Sequence, residues 1–411
     1  MVLAVSGVLG VAVAALSGRI RRLPASVPML AMATGLVLGP AVTGVLPVPS
    51  LIEDPSPYHE AGRILLSVSV MAVGLRYPLR QVRRHSGTVL VLLVLGMPVM
   101  AAATAGVAGV TLGVGLATAL LVGAALCPTD PVLASGVVTG EPAERDIAER
   151  SRQVLSLESG ANDGLALPLV LVAVSIAGPV SLGAAVLESL WQVVSAVLLG
   201  SLIGWAAGRA LRAGEHHGAT EGAPVLFLTL LLALGVLGLG GLLHADGILA
   251  VFVAGLAFNA AGTGGERSGA AKVDEGVNRF VVIPLFLAFG AALPVAAWAD
   301  LGWRGALLVP GVLLLRRIPL LVLLRRPLRL AWADCLYLGW FGPVGVSALF
   351  YLTLEADRLR VDPAVLAAGS LVMAASVLAH GLTGTPGRRL YARAAHRRGL
   401  SVAGHHADHS R

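Results

Sequence analysis

An all-α membrane protein of about thirteen transmembrane helices is the fold class this sequence predicts, and three observations predict it. Over 411 residues the hydrophobic share is 56% and only 13% are charged, about half the charged fraction of a soluble domain. Mean hydropathy is +0.83, carried by runs of roughly 20 apolar residues, each long enough to cross a hydrocarbon core. Glycine is abundant at 51 residues and aromatics are scarce at 5%, which suits close helix–helix contact in lipid.

The predicted spans are about 2–18, 26–46, 62–78, 88–110, 113–139, 152–177, 183–208, 223–243, 246–262, 279–297, 304–324, 333–353 and 362–385, divided by Pro/Gly punctuation and short polar clusters. No linker has room for a second folded unit. The expected organisation is a transmembrane domain over 1–386 and a short basic cytoplasmic tail over 387–411. The first span reads as a retained helix, because Arg19, Arg21 and Arg22 follow the apolar stretch instead of preceding it as in a signal peptide. Cys127 and Cys335 fall within apolar segments, so no disulfide framework is implied.

Net charge is +7 and the pI about 10.2, yet the basic residues lie between spans, where they set topology. This excludes a nucleic-acid partner in favour of lipid. Of the 30 Lys and Arg, alternate connections and the tail hold 24, the opposite side only Arg63, Arg304, Arg358 and Arg360, and Arg316 and Arg317 fall inside a span. The positive-inside rule then puts the N-terminus outside and the C-terminus in the cytoplasm of a plasma-membrane protein.

Ionisable residues inside spans cost about 2.5–3.5 kcal/mol each on insertion scales, so their positions point to function. They are Asp130 in span five, Glu158 and Asp163 in span six, and Arg316 and Arg317 in span eleven. The helical rise puts Asp130 and Asp163 roughly 14–17 Å from the cytoplasmic edge, near the midplane. Cys127-Pro128-Thr129-Asp130-Pro131 should break span five, and the freed carbonyls with the Thr129 hydroxyl are oxygen ligands for a small hard cation. Asp130 also suits the cap of the following half-helix. In Glu158-Ser159-Gly160-Ala161-Asn162-Asp163, Ser159 and Asp163 share one stripe, Glu158 and Asn162 the next. A buried Glu158 needs a cation, and Arg317, or alternatively Arg316, is its expected partner.

Gly342-Pro343-Val344-Gly345 should interrupt span twelve, seven spans after the first break. That spacing predicts inverted-topology repeats of about 1–177 and 223–386 with discontinuous helices at spans five and twelve. His244 and Asp246, near the outer end of span nine, read as solvated surface, with an access path as the alternative. The histidines at 216, 217, 396, 405, 406 and 409 have no metal-ligand frame.

Thr129-Asp130-Pro131-Val132-Leu133-Ala134 and Glu158-Ser159-Gly160-Ala161-Asn162-Asp163-Gly164 resemble the sodium/proton antiporters of the cation:proton antiporter-1 family, especially the branch with fungal plasma-membrane members. Gly247-Ile248-Leu249-Ala250-Val251-Phe252, Arg316-Arg317-Ile318-Pro319 and Phe341-Gly342-Pro343-Val344-Gly345-Val346 extend the resemblance along most of the chain. It implies a homodimer with crossed, partly unwound helices around a midplane site of Thr129, Asp130, Ser159, Asn162 and Asp163, with Glu158 and an arginine as an ion pair. The Asn162-Asp163 pair implies electroneutral exchange. Arg76 stands where the fungal pattern has an acidic residue, and Val344 where many bacterial relatives have arginine.

The resulting expectation is a transporter, not an enzyme, with no cofactor. Na⁺ or Li⁺ would displace the proton of Asp163 and take oxygens from Thr129, Ser159 and Asp130, with Asn162 ordering the site. A K⁺/H⁺ exchanger of the same fold is the alternative. An intramembrane aspartyl protease using Asp130 and Asp163 is remote, since Gly160-Ala161-Asn162-Asp163 replaces its Gly-x-Gly-Asp; a passive channel does not need a titratable site.

Overall fold

The computed structural model describes residues 1–20, 25–217, 225–262 and 281–396. Arg21, Arg22, Arg267, Lys272, Arg279, Arg397, Arg398, Arg411 and the histidines at 405, 406 and 409 lie outside the described residues. Among the described residues the regular structure is entirely helical. Within these residues, five helical stretches are long and apolar enough to cross a membrane: Leu79–Leu112, Glu149–Ala177, Leu182–His216, Val295–Leu323 and Pro363–Ala395. Six shorter apolar helices of 10–17 residues accompany them.

Three of the expected spans are in pieces, two of them at the interruptions expected in spans five and twelve and the third, 304–324, where the sequence predicts a continuous helix. The run 113–139 is Leu116–Ala125 followed by Pro131–Val138, 304–324 falls across Val295–Leu315 and Ile318–Leu323, and 333–353 across Trp332–Trp340 and Val346–Arg358. In the first two a proline opens the second piece or stands one residue inside it, where its missing N–H costs nothing. The last helix runs from Pro363 through His396, continuing past residue 387.

Burial separates the centre of the bundle from its periphery. In Glu149–Leu165, every residue from Gln153 to Gly164 is buried. In Leu182–His216 the buried positions are Ala185, Ser189, Gln192, Ala196, Gly200, Gly204 and Gly208, a single stripe at three- and four-residue spacing. Its other faces expose Leu187 and Leu198, as a lipid-facing helix does. The stripe packs on Gly247–Ala261. A side chain at Gly200 or Gly204 would collide with the Ala250 or Ala254 carbonyl, so glycine here sets how closely the two backbones approach. Gly247–Ala261 in turn packs on Ser56–Arg76, and both touch Glu149–Leu165, which places that polar helix inside a sleeve of apolar ones.

Candidate cation site

The two interruptions face each other. Leu116–Ala125 ends and Pro131–Val138 begins on either side of 126–130, while Phe341–Gly345 separates Trp332–Trp340 from Val346–Arg358. Asp130 joins the two breaks. Its backbone N–H donates to the Pro343 carbonyl at 3.0 Å. Its Oδ1 accepts from the N–H of Val132 at 2.7 Å and caps the following helix, while Oδ2 accepts from the N–H of Val346. A side chain at Gly345 would collide with that carboxylate, so the Gly-rich break is what lets the two segments meet.

Helix breaks leave carbonyls without partners, and Arg316 takes them. Its Nη1 donates to the carbonyls of Leu126 (2.6 Å), Cys127 (3.3 Å) and Pro128 (3.0 Å), and its Nη2 to that of Gly342. The freed carbonyls, expected as oxygen ligands for a small cation, thus accept hydrogen bonds from a guanidinium. Arg317 points elsewhere. It makes a bidentate pair with Glu158, both N–O distances 2.8 Å, and its Nε donates to the Leu338 carbonyl at 2.8 Å. The backbone turn between Val295–Leu315 and Ile318–Leu323 sends these adjacent side chains apart. Both guanidiniums are at most 3% exposed.

From Glu158 a continuous polar chain runs to the first break. Asn162 Nδ2 donates to Glu158 Oε1 at 2.9 Å and to Thr129 Oγ1 at 2.7 Å, while its Oδ1 accepts from the Thr129 N–H at 3.2 Å. Thr129 Oγ1 and Ser159 Oγ are 2.9 Å apart. Thr129, Asp130, Glu158, Ser159, Asn162 and Asp163 are all wholly buried. Among the described residues, Asp163 alone of these six has no hydrogen-bond partner at either side-chain oxygen. Ser347 faces it without closing a hydrogen bond, and its own hydroxyl is likewise unpartnered. The Tyr351 hydroxyl donates to the main-chain carbonyls of Asp163 and Gly164, holding the helix backbone there while leaving the carboxylate free.

Ser347 and Tyr351 escape sequence reasoning. One turn apart just after Gly345, they are ordinary polar residues until the second break is known to face Asp163. His380 is another: buried, it contacts the Trp340 carbonyl at 2.7 Å, and Ser376 Oγ accepts from the Val344 N–H at 2.8 Å, so together they hold the second break open. Asp246 is 4% exposed, which corrects the solvated-surface reading. It caps Gly247–Ala261 through Leu249, and its N–H donates to the Gln192 carbonyl of the long peripheral helix. Arg76 donates to Ser156 Oγ at 3.1 Å, two residues from Glu158 along the chain and away from Asp163.

A multi-pass helical protein with an unpaired carboxylate beside a buried ion pair falls in the class of ion-moving membrane proteins, since intramembrane ionisable groups mark ion pathways. The sequence matches the family model described as sodium/hydrogen exchanger, transmembrane, over residues 8–387. The chain belongs to this family, which places it among transporters and not enzymes. It is 32% identical over 355 residues to Na(+)/H(+) antiporter 2 of Zygosaccharomyces rouxii, an overlap of 81% of this chain and 43% of that protein. It is 29% identical over 346 residues to the Na(+)/H(+) antiporter of Saccharomyces cerevisiae, covering 79% of this chain and 34% of that one. The chain thus spans less than half the length of these relatives. Its fold is similar to that of the sodium proton antiporter MjNhaP1 from Methanocaldococcus jannaschii at pH 8, with TM-score 0.70, 18% identity, and coverage of 96% of this chain and 99% of that one.

Proposed function

We propose that this chain exchanges Na⁺, or Li⁺, for H⁺ one for one across the plasma membrane by alternating access, with Asp163 as the carboxylate for which the two ions compete. One observation carries the reading: in a wholly buried cluster where Thr129, Asp130, Glu158, Ser159 and Asn162 all have partners, Asp163 has none. A buried carboxylate with no protein partner needs a proton or a cation.

The charges of the cluster explain why exchange would be obligatory. Arg316 and Arg317 offset Glu158 and Asp130, so Asp163 is the charge left over. A proton or a monovalent cation on it makes the cluster neutral, whereas a bare Asp163 would carry an uncompensated charge across the low-dielectric interior. The loaded site therefore changes sides readily and the unloaded one does not. One leftover charge takes one Na⁺ or one H⁺ per turn, which makes the cycle electroneutral. In the cation-loaded state, Na⁺ rests on Asp163 and draws oxygens from Thr129, Ser159 and Asp130, each of which has spare lone pairs. Asn162 keeps Thr129 in register.

The wider architecture in this reading has thirteen spans in two inverted repeats, about 1–177 and 223–386. The two breaks cross, the N-terminus is outside, the C-terminus is cytoplasmic, and the working unit is a homodimer. The bond between Asp130 and Pro343 supports the crossing; the lopsided arginine distribution supports the orientation. The test is dequenching of a pH-sensitive dye in everted vesicles from an antiporter-deficient host on adding Na⁺, Li⁺ or K⁺. Wild type should respond to Na⁺ and Li⁺, and an equally expressed Asp163→Asn variant to none. A response to K⁺ over Na⁺ would turn the substrate to K⁺, and silence toward all three across the pH range would sink the reading.

A further inference from the structure

A cavity of about 420 Å³ opens beside the helix that carries Asp246. Its walls come from Arg63, Glu188, Gln192, His244, Phe350 and Arg358. Arg63, Glu188, His244 and Arg358 stand toward the helix ends that the arginine distribution assigns to the outer face. The rim charges are already matched: Arg358 pairs with Glu188 at 2.9 Å and Arg63 with Glu60 at 3.0 Å, with side chains 32–57% exposed. Asp246 lines the same cavity but differs from them in burial and pairing: it is 4% exposed and, among the described residues, has no ionic partner.

Only half of its carboxylate is explained by capping. Oδ1 accepts from the Leu249 N–H at 2.9 Å, while Oδ2 has no hydrogen-bond partner. An N-cap needs one oxygen and no charge, and asparagine or serine performs as well. A full carboxylate held out of water, with one oxygen unpartnered among the described residues beside a cavity rimmed by ion pairs, is more than a cap requires. Asp246 and Asp163 are connected through one helix, Val346–Arg358. Between them run Phe350 and Tyr351 of Val346–Arg358: Phe350 lines the cavity and Tyr351 donates to the Asp163 carbonyl.

We infer that Asp246 is a second cation-binding carboxylate, forming the floor of an outer vestibule where a monovalent cation is held before it passes to Asp163. This rests on the exchange reading above. A single uncompensated negative charge in a cleft with low-dielectric walls raises the local concentration of cations by focusing the field. Repulsion between the two carboxylates favours filling one while the other is discharged, so a cation waiting at Asp246 would move inward as Asp163 gives up its proton.

The test compares Na⁺-driven proton movement in right-side-out vesicles, which present the outer face, and in everted vesicles, which present the cytoplasmic face. The variants are Asp246→Asn and Asp246→Ser, both of which keep a capping oxygen and remove the charge. Both should raise the KM for Na⁺ at the outer face about tenfold, the low end of what such focusing gives. The maximal rate should be kept and the cytoplasmic KM should move far less. Wild-type exchange with an unaltered outer KM in both variants would reduce Asp246 to a helix cap and overturn the proposal alone. An equal rise at both faces would likewise overturn it, as the signature of a general structural defect. No Na⁺-driven proton movement in wild type would overturn the exchange reading and this proposal with it.

Discussion

Glu158 and Asp163 lie five residues apart on one helix, both wholly buried, and the molecule treats them in opposite ways. Glu158 has a bidentate arginine and an asparagine. Asp163 has nothing on either oxygen. A charge that the fold has fully paired is architecture, and removing its partner should be felt as lost stability. A charge that the fold has left bare contributes little to stability, and removing it should be felt as lost transport. The two residues therefore predict opposite phenotypes from similar chemistry.

The largest effect should come from Asp163→Asn. Transport should fall to background, while thermal stability of the purified protein stays level or rises, because an unsatisfied buried carboxylate has been removed. Loss of transport together with a collapse in stability would erase the distinction between the residues. Next is Arg317→Ala, which strands Glu158 and should cost about 3–5 kcal/mol, read as a large drop in melting temperature. Pairing it with Glu158→Gln should return much of that loss, since no bare charge remains. Failure of the second change to help would show that the pair is not the coupled unit described here.

A smaller loss is expected at Asp130. Both of its oxygens accept backbone N–H groups, and Asp130→Asn would turn an NH₂ toward one of these donors, at a cost of about 1–3 kcal/mol. An unchanged melting temperature would mean that Asp130 does not tie the two breaks together. The smallest effect belongs to Ser347→Ala. The hydroxyl closes no bond, so stability should hold, while the KM for Na⁺ should rise a few-fold if Ser347 joins the coordination shell once a cation is present. An unchanged KM would leave it outside that shell.

Much of this contrast was legible in the sequence. Asp163, the Glu158 ion pair and both helix breaks follow from the cost of charge and of proline in a membrane. What stayed hidden depends on direction. Arg316 and Arg317 are adjacent and chemically identical, and only the turn between their helices sends one to Glu158 and the other to the carbonyls of the breaks. Ser347 and Tyr351 gain meaning only once the second break is packed against Asp163. Asp246 read as surface because its cover is Gln192, more than fifty residues away in sequence. The expected span at 304–324 overstates helical continuity, since hydropathy sees apolar length and not the backbone inside it.

Competition at Asp163 is tested most directly by following the pH of weakly buffered, purified protein as NaCl is added, with choline chloride as the control. The account predicts proton release approaching one per cation bound in wild type, and none from Asp163→Asn. Proton release of the same size from the Asp163→Asn variant would contradict it, because the proton and the cation would then be meeting at another group.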